Sequence, residues 1–235
     1  MPVNGRRQRR ILHTSDIHLT TVGDEASQSL KALVDVAIEA RADLVLIAGD
    51  LFDHNRVDDK LVDFTVEQFQ RLPGSVAILP GNHDCFAHDS VFSRSHLWEN
   101  SPNVRVFKQP DGEAINLPDH DMVVWGKSIN SYDYDVRPLE GIPQSQRNGC
   151  WHIAVAHGYY VSSLPPFYPS LHITHEEIVT SGQDYIALGH IPTFGKVCDE
   201  PVKAYYSGSP WYSNTVAIVD LNEKTGVQVS CHFLK

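Results

Sequence analysis

No apolar run in this 235-residue chain approaches the roughly 20 residues that span a bilayer, so no membrane role is expected. The basic start MPVNGRRQRR is followed by ILHTSDIHL, which carries charge and histidine, not the apolar stretch of a secretory signal. Cysteine is sparse. Cys85, Cys150, Cys198 and Cys231 lie far apart without CxxC spacing, which excludes a disulfide framework or a cysteine zinc knot. Reduced thiols and a cytoplasmic location are expected; Cys85 alone draws notice, directly after GNHD. Positive charge is also short: 19 Lys and Arg face 29 Asp and Glu, for a net −10. That argues against broad, non-specific duplex binding. It leaves a nucleic-acid substrate open, because bound divalent cations reverse the local field. There is no internal repeat, low-complexity tract or long Pro/Gly linker. The expectation is a basic arm over 1–9 and one domain over 10–235. The arm reads as solvated, with a phosphate-gripping role as the alternative.

What the chain does have is histidine, 13 in all, several beside Asp, Asn or Gly. Around them the pattern is orderly. A strand ending at Asp16 precedes a helical period over 25–40, with Leu30, Leu33, Val34, Ala37 and Ile38 on one face. ADLVLIAGD is a continuous apolar run, as for a strand buried on both faces. A second helix over 57–72, with Leu61, Phe64 and Phe69 toward the core, stops at Pro73-Gly74, and SVAILPGNHD supplies a third strand. The β-α-β-α-β order favours parallel strands. A short helix over 91–99 and strands over 103–107, 113–117 and 122–126 follow. WHIAVAHG and DYIALGH are further buried strands. YYVSSLPPFYPSLHI reads as a surface loop. Thr174 and Glu177 form a capping box for a short helix over 174–181. KAYYSGSPW, NTVAIVDLN and GVQVSCHFL alternate and read as antiparallel strands.

Five of these strands end in loops bearing hard-cation ligands: Asp16 and His18; Asp50 and Asp53; Asn82, His83 and Asp84; His157; and His190. In open α/β sheets the carboxyl ends of parallel strands converge on one crevice. Mixed carboxylate, imidazole and amide donors suit Mn²⁺, Fe or Zn²⁺, and a carboxylate such as Asp50 can bridge two ions. Glycines before Asp50, Asn82 and His190 let the backbone approach closely. His13, His120, His152 and His232 keep an ordinary surface or core reading.

The ordered set DxH, GDxxD, GNHD, a lone His and GH resembles the calcineurin-like metallophosphoesterase superfamily, from Asp16 to about Ser209. SDIHL, GDLFD, LPGNHD, DYIALGH and YSGSP are most similar in wording to the nuclease subunits of bacterial and archaeal double-strand-break repair complexes. Their DNA-binding capping domain is not expected here. The resemblance implies an α/β four-layer sandwich, two central mixed β-sheets flanked by helices. It implies a metal-dependent phosphoesterase acting on phosphodiester bonds, of DNA or a nucleotide, through a metal-bound hydroxide. Asp16 and His18 would bind the first of two divalent ions (Mn²⁺, with Fe or Zn²⁺ as alternatives), Asp50 would bridge, and Asn82, His157 and His190 would bind the second. His83, held by Asp84, would be catalytic. The family's GHxH reads GHIP here, with Pro192 where a ligand of the first ion belongs. Water or substrate, or His54, His172 or His175, would replace it, or that ion would be lost. Phosphomonoesterase activity and a weakly catalytic metal-binding scaffold are the alternatives. Tyr160 and Phe167 are candidates for stacking on a base, and a homodimer is left open.

Overall fold

The computed structural model describes residues 6–94, 98, 101–131, 136–145, 149–162 and 171–235. The first half runs β1 (Arg9–Thr14), α1 (Glu25–Glu39), β2 (Leu44–Ala48), α2 (Asp59–Gln70), β3 (Ser75–Leu79), α3 (Val91–Arg94), β4 (Val104–Val106), β5 (Glu113–Leu117) and β6 (Met122–Gly126). The second half runs β7 (Trp151–His157), β8 (Tyr159–Val161), β9 (His172–Thr174), α4 (His175–Thr180), β10 (Tyr185–Gly189), β11 (Phe194–Cys198), β12 (Lys203–Ser207), β13 (Thr215–Asn222) and β14 (Gly226–Phe233).

Two mixed sheets form, in the orders β14-β13-β1-β2-β3-β4 and β11-β12-β10-β7-β6-β5. Strands β1 to β4 are parallel, as are β6, β7, β10 and β12. The alternating faces of these strands build successive layers. Ile11, Leu44, Leu46, Ala48, Ala77 and Leu79 of the first sheet meet Trp151, Ile153, Val155, Tyr185 and Ala187 of the second in an inter-sheet core. The opposite faces, Leu12, Val45, Ile47, Val76 and Ile78, pack under Leu30, Leu33, Val34, Leu61, Val62 and Phe69 of α1 and α2. Continuous apolar strands are therefore buried on both sides. Each long helix starts where an aspartate accepts from a free first-turn amide: Asp24 from Ser27 N and Asp58 from Leu61 N. The Thr174–Glu177 capping box is present at α4.

Several expectations need correction. The outer face of the second sheet is covered by α4 and the small β8–β9 sheet, with Ile173 and Ile178 on Ala154, Ala156, Ile186 and Leu188. The YYVSSLPPFYPSLHI segment is thus partly strand; its residues 163–170 lie outside the described residues. Strand β12 is parallel to β10 and antiparallel to β11, and β11 has no strand expectation at all. Its glycine and half-exposed residues mask the alternation. The helix over 91–99 is described as α3, with residues 95–97 and 99–100 outside the description. Arg7 and Gln8 are exposed, as expected of a solvated arm, but Arg6 and Arg7 are tied to the fold. Arg6 forms two 2.8 Å bonds to Asp184 and lies 3.8 Å above the Trp151 ring. Arg7 pairs with Asp121, and Trp151 donates to the Arg7 carbonyl at 2.8 Å. These arginines sit at the amino ends of β7 and β10, opposite the strand ends that carry the histidines.

Ile153→Ala should cost about 2–5 kcal/mol, the loss of a buried aliphatic side chain from a core that cannot collapse. A urea midpoint checks this, with Val22→Ala on the surface shifting stability by less than about 0.5 kcal/mol.

Candidate metal centre

The register places the carboxyl ends of β1, β2, β3, β7 and β10 at one edge: Gly189 is level with His157, and Ala48 with Leu79. Each loop then turns inward. Asp16, His18, Asp50 and His190 all adopt positive φ, between 50° and 93°, a conformation that ordinarily costs a non-glycine residue about 1–3 kcal/mol and clusters at functional sites. Gly49, at φ +94°, is required there: a Cβ would fall 2.0 Å from His157 Nδ1. At Gly81 a Cβ would fall 2.1 Å from Asp50 Oδ1.

Asp50 sits at the middle and is buried. Its Oδ1 accepts from His83 N at 2.9 Å, while Oδ2 lies 3.2 Å from His157 Nε2 and 3.9 Å from His18 Nε2. His157 Nδ1 lies 2.8 Å from the Ala48 carbonyl. A carbonyl only accepts, so Nδ1 carries the hydrogen and Nε2 is the inward atom. Around Nε2 stand Asn82 Oδ1 at 2.9 Å and His190 Nδ1 at 3.2 Å. Asp16 joins through Oδ2, which accepts from His190 N at 3.0 Å. Two ligand groups share Asp50: Asp16, His18 and Asp50, and Asp50, His157 and His190. Asn82 extends the second.

The electrostatics are those of a cation site. Burial alone would raise Asp50, but the charge and hydrogen bond of His157, with His18, hold it well below the usual carboxylate range. Burial would lower His157, yet Asp50 and then Asp16 raise it to about 9. Burial and the His157 charge push His190 down to about 4. Asp16 is raised, by burial and then by Asp50, with His157 opposing. A proton on His157 Nε2 thus stands among atoms that otherwise offer only lone pairs. The donor set fits hard or borderline divalent ions, and Asp50 is common to the two groups.

Not every expected contact is present. Asp84 does not hold His83. It is fully buried and accepts from Gly81 N at 2.7 Å and Phe52 N at 3.0 Å, bracing two loops, and burial followed by the Asp50 charge pushes it up to about 7. His83 Nδ1 instead meets the Asp53 carbonyl at 2.9 Å, with Asp53 Oδ1 at 3.6 Å. Asp53 Oδ1 is also 3.2 Å from His18 Nδ1, an ion-pair distance off the line of a hydrogen bond. It can orient His18 from behind, as carboxylates do for metal-bound imidazoles. In sequence, Asp53 had ligand chemistry but no assigned role.

Around Pro192, none of the three substitute histidines joins a ligand group among the described residues. His54 Nδ1 accepts from Arg56 N, and His175 faces Tyr160. Ser209 is there instead. Its N donates to the Pro192 carbonyl at 3.1 Å and its Oγ to the Asp16 carbonyl at 2.6 Å. Tyr160 is committed to the fold, its N bonded to Tyr206 Oη and its ring packed on the outer core. Its neighbour Tyr159 lies edge-on to His190, 4.3 Å between centroids. Phe167 lies outside the described residues. Cys85 is buried with Leu171 and Ile129. Tyr159 belongs to the aromatic loop after His157 that the sequence offers for base stacking, whereas Ser209 was missed and carried only the wording of YSGSP as signal.

Beside His83 opens a cavity of about 440 Å³ lined by Asp53, His54, Asn55, Arg56, Asn82, His83 and Asp89.

The chain belongs to the calcineurin-like phosphoesterase family, which it matches over residues 9–232. That family comprises metal-dependent phosphoester hydrolases. Among curated relatives, it is 28% identical over 207 residues to the uncharacterized metallophosphoesterase YhaO of Bacillus subtilis, covering 77% of this chain and 48% of that one. The chain thus spans about half the length of the curated relative. Its fold matches TT1561 of Thermus thermophilus (TM-score 0.67, 13% identity, 97% of this chain and 100% of that one). It also matches a dimetal phosphatase from Danio rerio (TM-score 0.62, 14% identity, 97% and 99%). A third match is an archaeal phosphodiesterase (TM-score 0.52, 14% identity, 96% and 99%). No helix among the described residues is long and apolar enough to cross a membrane.

Gly49→Ala should lower stability by about 2 kcal/mol or more, because it combines a positive φ with a collision at His157. Thermal melting checks this; a melting temperature equal to wild type would contradict the geometry.

Proposed function

We propose that the protein is a binuclear metallophosphodiesterase. The observation that carries this reading is the pair of ligand groups that share Asp50. Asp16, His18 and Asp50 would hold one ion, and Asp50, Asn82, His157 and His190 the other. Mn²⁺ is the proposed metal, with Fe or Zn²⁺ suited to the same donors. Two such ions, when bound, neutralise phosphoryl oxygens and lower the pKa of bound water.

The chain's own residues supply the rest. Asp53 keeps the His83 ring fixed through Nδ1, so Nε2 is the atom turned outward. His83 is partly exposed and is the group proposed to give a proton to the leaving oxygen. The cavity beside it has room for an organic leaving group. Among the described residues that line this cavity there is no lysine, and Arg56 is the single arginine. A phosphodiester monoanion asks for less positive charge than a monoester dianion, which favours diesters. The net charge of −10 favours a nucleotide-sized substrate or a single-stranded end over long duplex. Pro192 supports a second reading, a weakly catalytic metal-binding scaffold, because the first ion has one protein ligand fewer than GHxH provides.

Purified protein with Mn²⁺ should hydrolyse an aryl phosphodiester faster than the corresponding monoester. His83→Ala should lower kcat/KM by about 10²–10⁴ while metal content stays constant. A wild-type rate no higher than that of His83→Ala would reject the enzymatic reading in favour of the scaffold.

Metal affinity should rise about tenfold per pH unit between pH 7 and 9, because a ligand proton must leave before a cation binds. The sign follows from His157, whose folded-state pKa is raised to about 9. Its proton is retained across this window and competes with the cation. Without metal, the stability its charge contributes is full below about pH 6.5 and is lost as pH rises through 9. Calorimetric titration in two buffers of different ionisation enthalpy would detect the released proton; a buffer-independent heat would contradict it.

A further inference from the structure

The loop between β12 and β13 carries Trp211 and Tyr212, which are 38% and 63% exposed. The chain's other three tryptophans, Trp98, Trp125 and Trp151, are all buried. Nothing in the packing of the fold asks for an indole in water at this position. The two rings stand edge to face, 5.9 Å between centroids.

This loop is anchored to the metal centre. Ser209 Oγ donates to the Asp16 carbonyl at 2.6 Å and in turn accepts from Tyr212 N at 3.2 Å. Ser209 N bonds the Pro192 carbonyl at 3.1 Å, and Ser213 Oγ bonds both the Ser209 carbonyl and Thr215. The turn that presents the two aromatics is therefore hydrogen-bonded through Ser209 to the Asp16 loop. Through Ser209 it adjoins Pro192, and neither aromatic lines the cavity beside His83.

We infer that Trp211 and Tyr212 form a stacking subsite for a nucleobase on the substrate's phosphate, opposite the leaving group. This rests on the phosphodiesterase reading and narrows its substrate class to nucleotide diesters. The chemistry favours this occupant. The chain has an excess of negative charge, so affinity beyond the reacting phosphate must come from uncharged contact. Flat aromatic faces supply that contact for any base. An aliphatic chain would gain little from two rings set edge to face.

Trp211 is its own reporter. In His83→Ala protein loaded with Mn²⁺, adenosine 5′-monophosphate should quench tryptophan fluorescence and inorganic phosphate should not. The quench should vanish in Trp211→Phe, which keeps an aromatic face. If adenosine 5′-monophosphate displaces phosphate with no fluorescence change, the subsite is overturned. Fluorescence that answers to protein concentration and not to nucleotide would make the pair an interface between copies, and overturn it too. As a second measurement, the Trp211→Ala/Tyr212→Ala double variant should raise KM roughly tenfold for a dinucleotide, within the worth of base stacking. It should leave KM for a glycerol phosphodiester unchanged; equal effects on both substrates count against the subsite. Failure of wild-type turnover on every diester would sink the phosphodiesterase reading, while the fluorescence titration still decides the base site by itself.

Discussion

The crevice depends on one buried charge. Asp50 carries its carboxylate to the meeting point of two sheets, where an unpaired ion would be untenable. Each group around it answers that charge. His157 comes from the second sheet with a raised pKa, His83 offers a backbone N–H, and His18 approaches from the neighbouring loop. The two sheets are joined here not only by apolar packing but by the bond from His157 Nδ1 to the Ala48 carbonyl and by His190 N to Asp16. A divalent cation at Asp50 would take over the work that the His157 proton does in its absence.

Such a site is sustained by the layers beneath it. The four crevice residues with positive φ, Asp16, His18, Asp50 and His190, would be a substantial cost in a small fold. Here they cap strands whose both faces are buried, so the apolar core below fixes the loops above. Asp84 contributes in the same sense. Its carboxyl ties the Gly81 and Phe52 amides together and so braces the loop of His83 against the loop of Asp50. Asp53 then holds the His83 ring itself. The two aspartates that follow Asp50 and His83 in sequence thus exchange the work that chain order suggests.

Much of the architecture is legible in sequence, because strand and helix periods are local. Continuous runs such as LVLIA announce a strand covered on both sides, and Thr174 with Glu177 announces a helix start. Strand β11 is not legible, since its half-exposed residues carry no clear period. The direction of β12 is not legible either: alternation tells one face from the other but says nothing of whether the neighbour is parallel. The anchoring of Arg6 is not legible, because nothing local reveals Trp151 and Asp184, which lie far along the chain.

The sequence by itself determined the ingredients: ligand-type side chains at five strand ends, a buried carboxylate after a glycine, and a proline at the position of a family histidine. Residue type and strand-end position are properties of short stretches, so they can be read there. Tertiary structure alone decided the pairings. It assigned His83 to Asp53 instead of Asp84, put Tyr159 and not Tyr160 against His190, and seated Ser209 between Asp16 and Pro192. These choices depend on distances across two sheets, set by packing among residues far apart in the chain, and no local pattern encodes them.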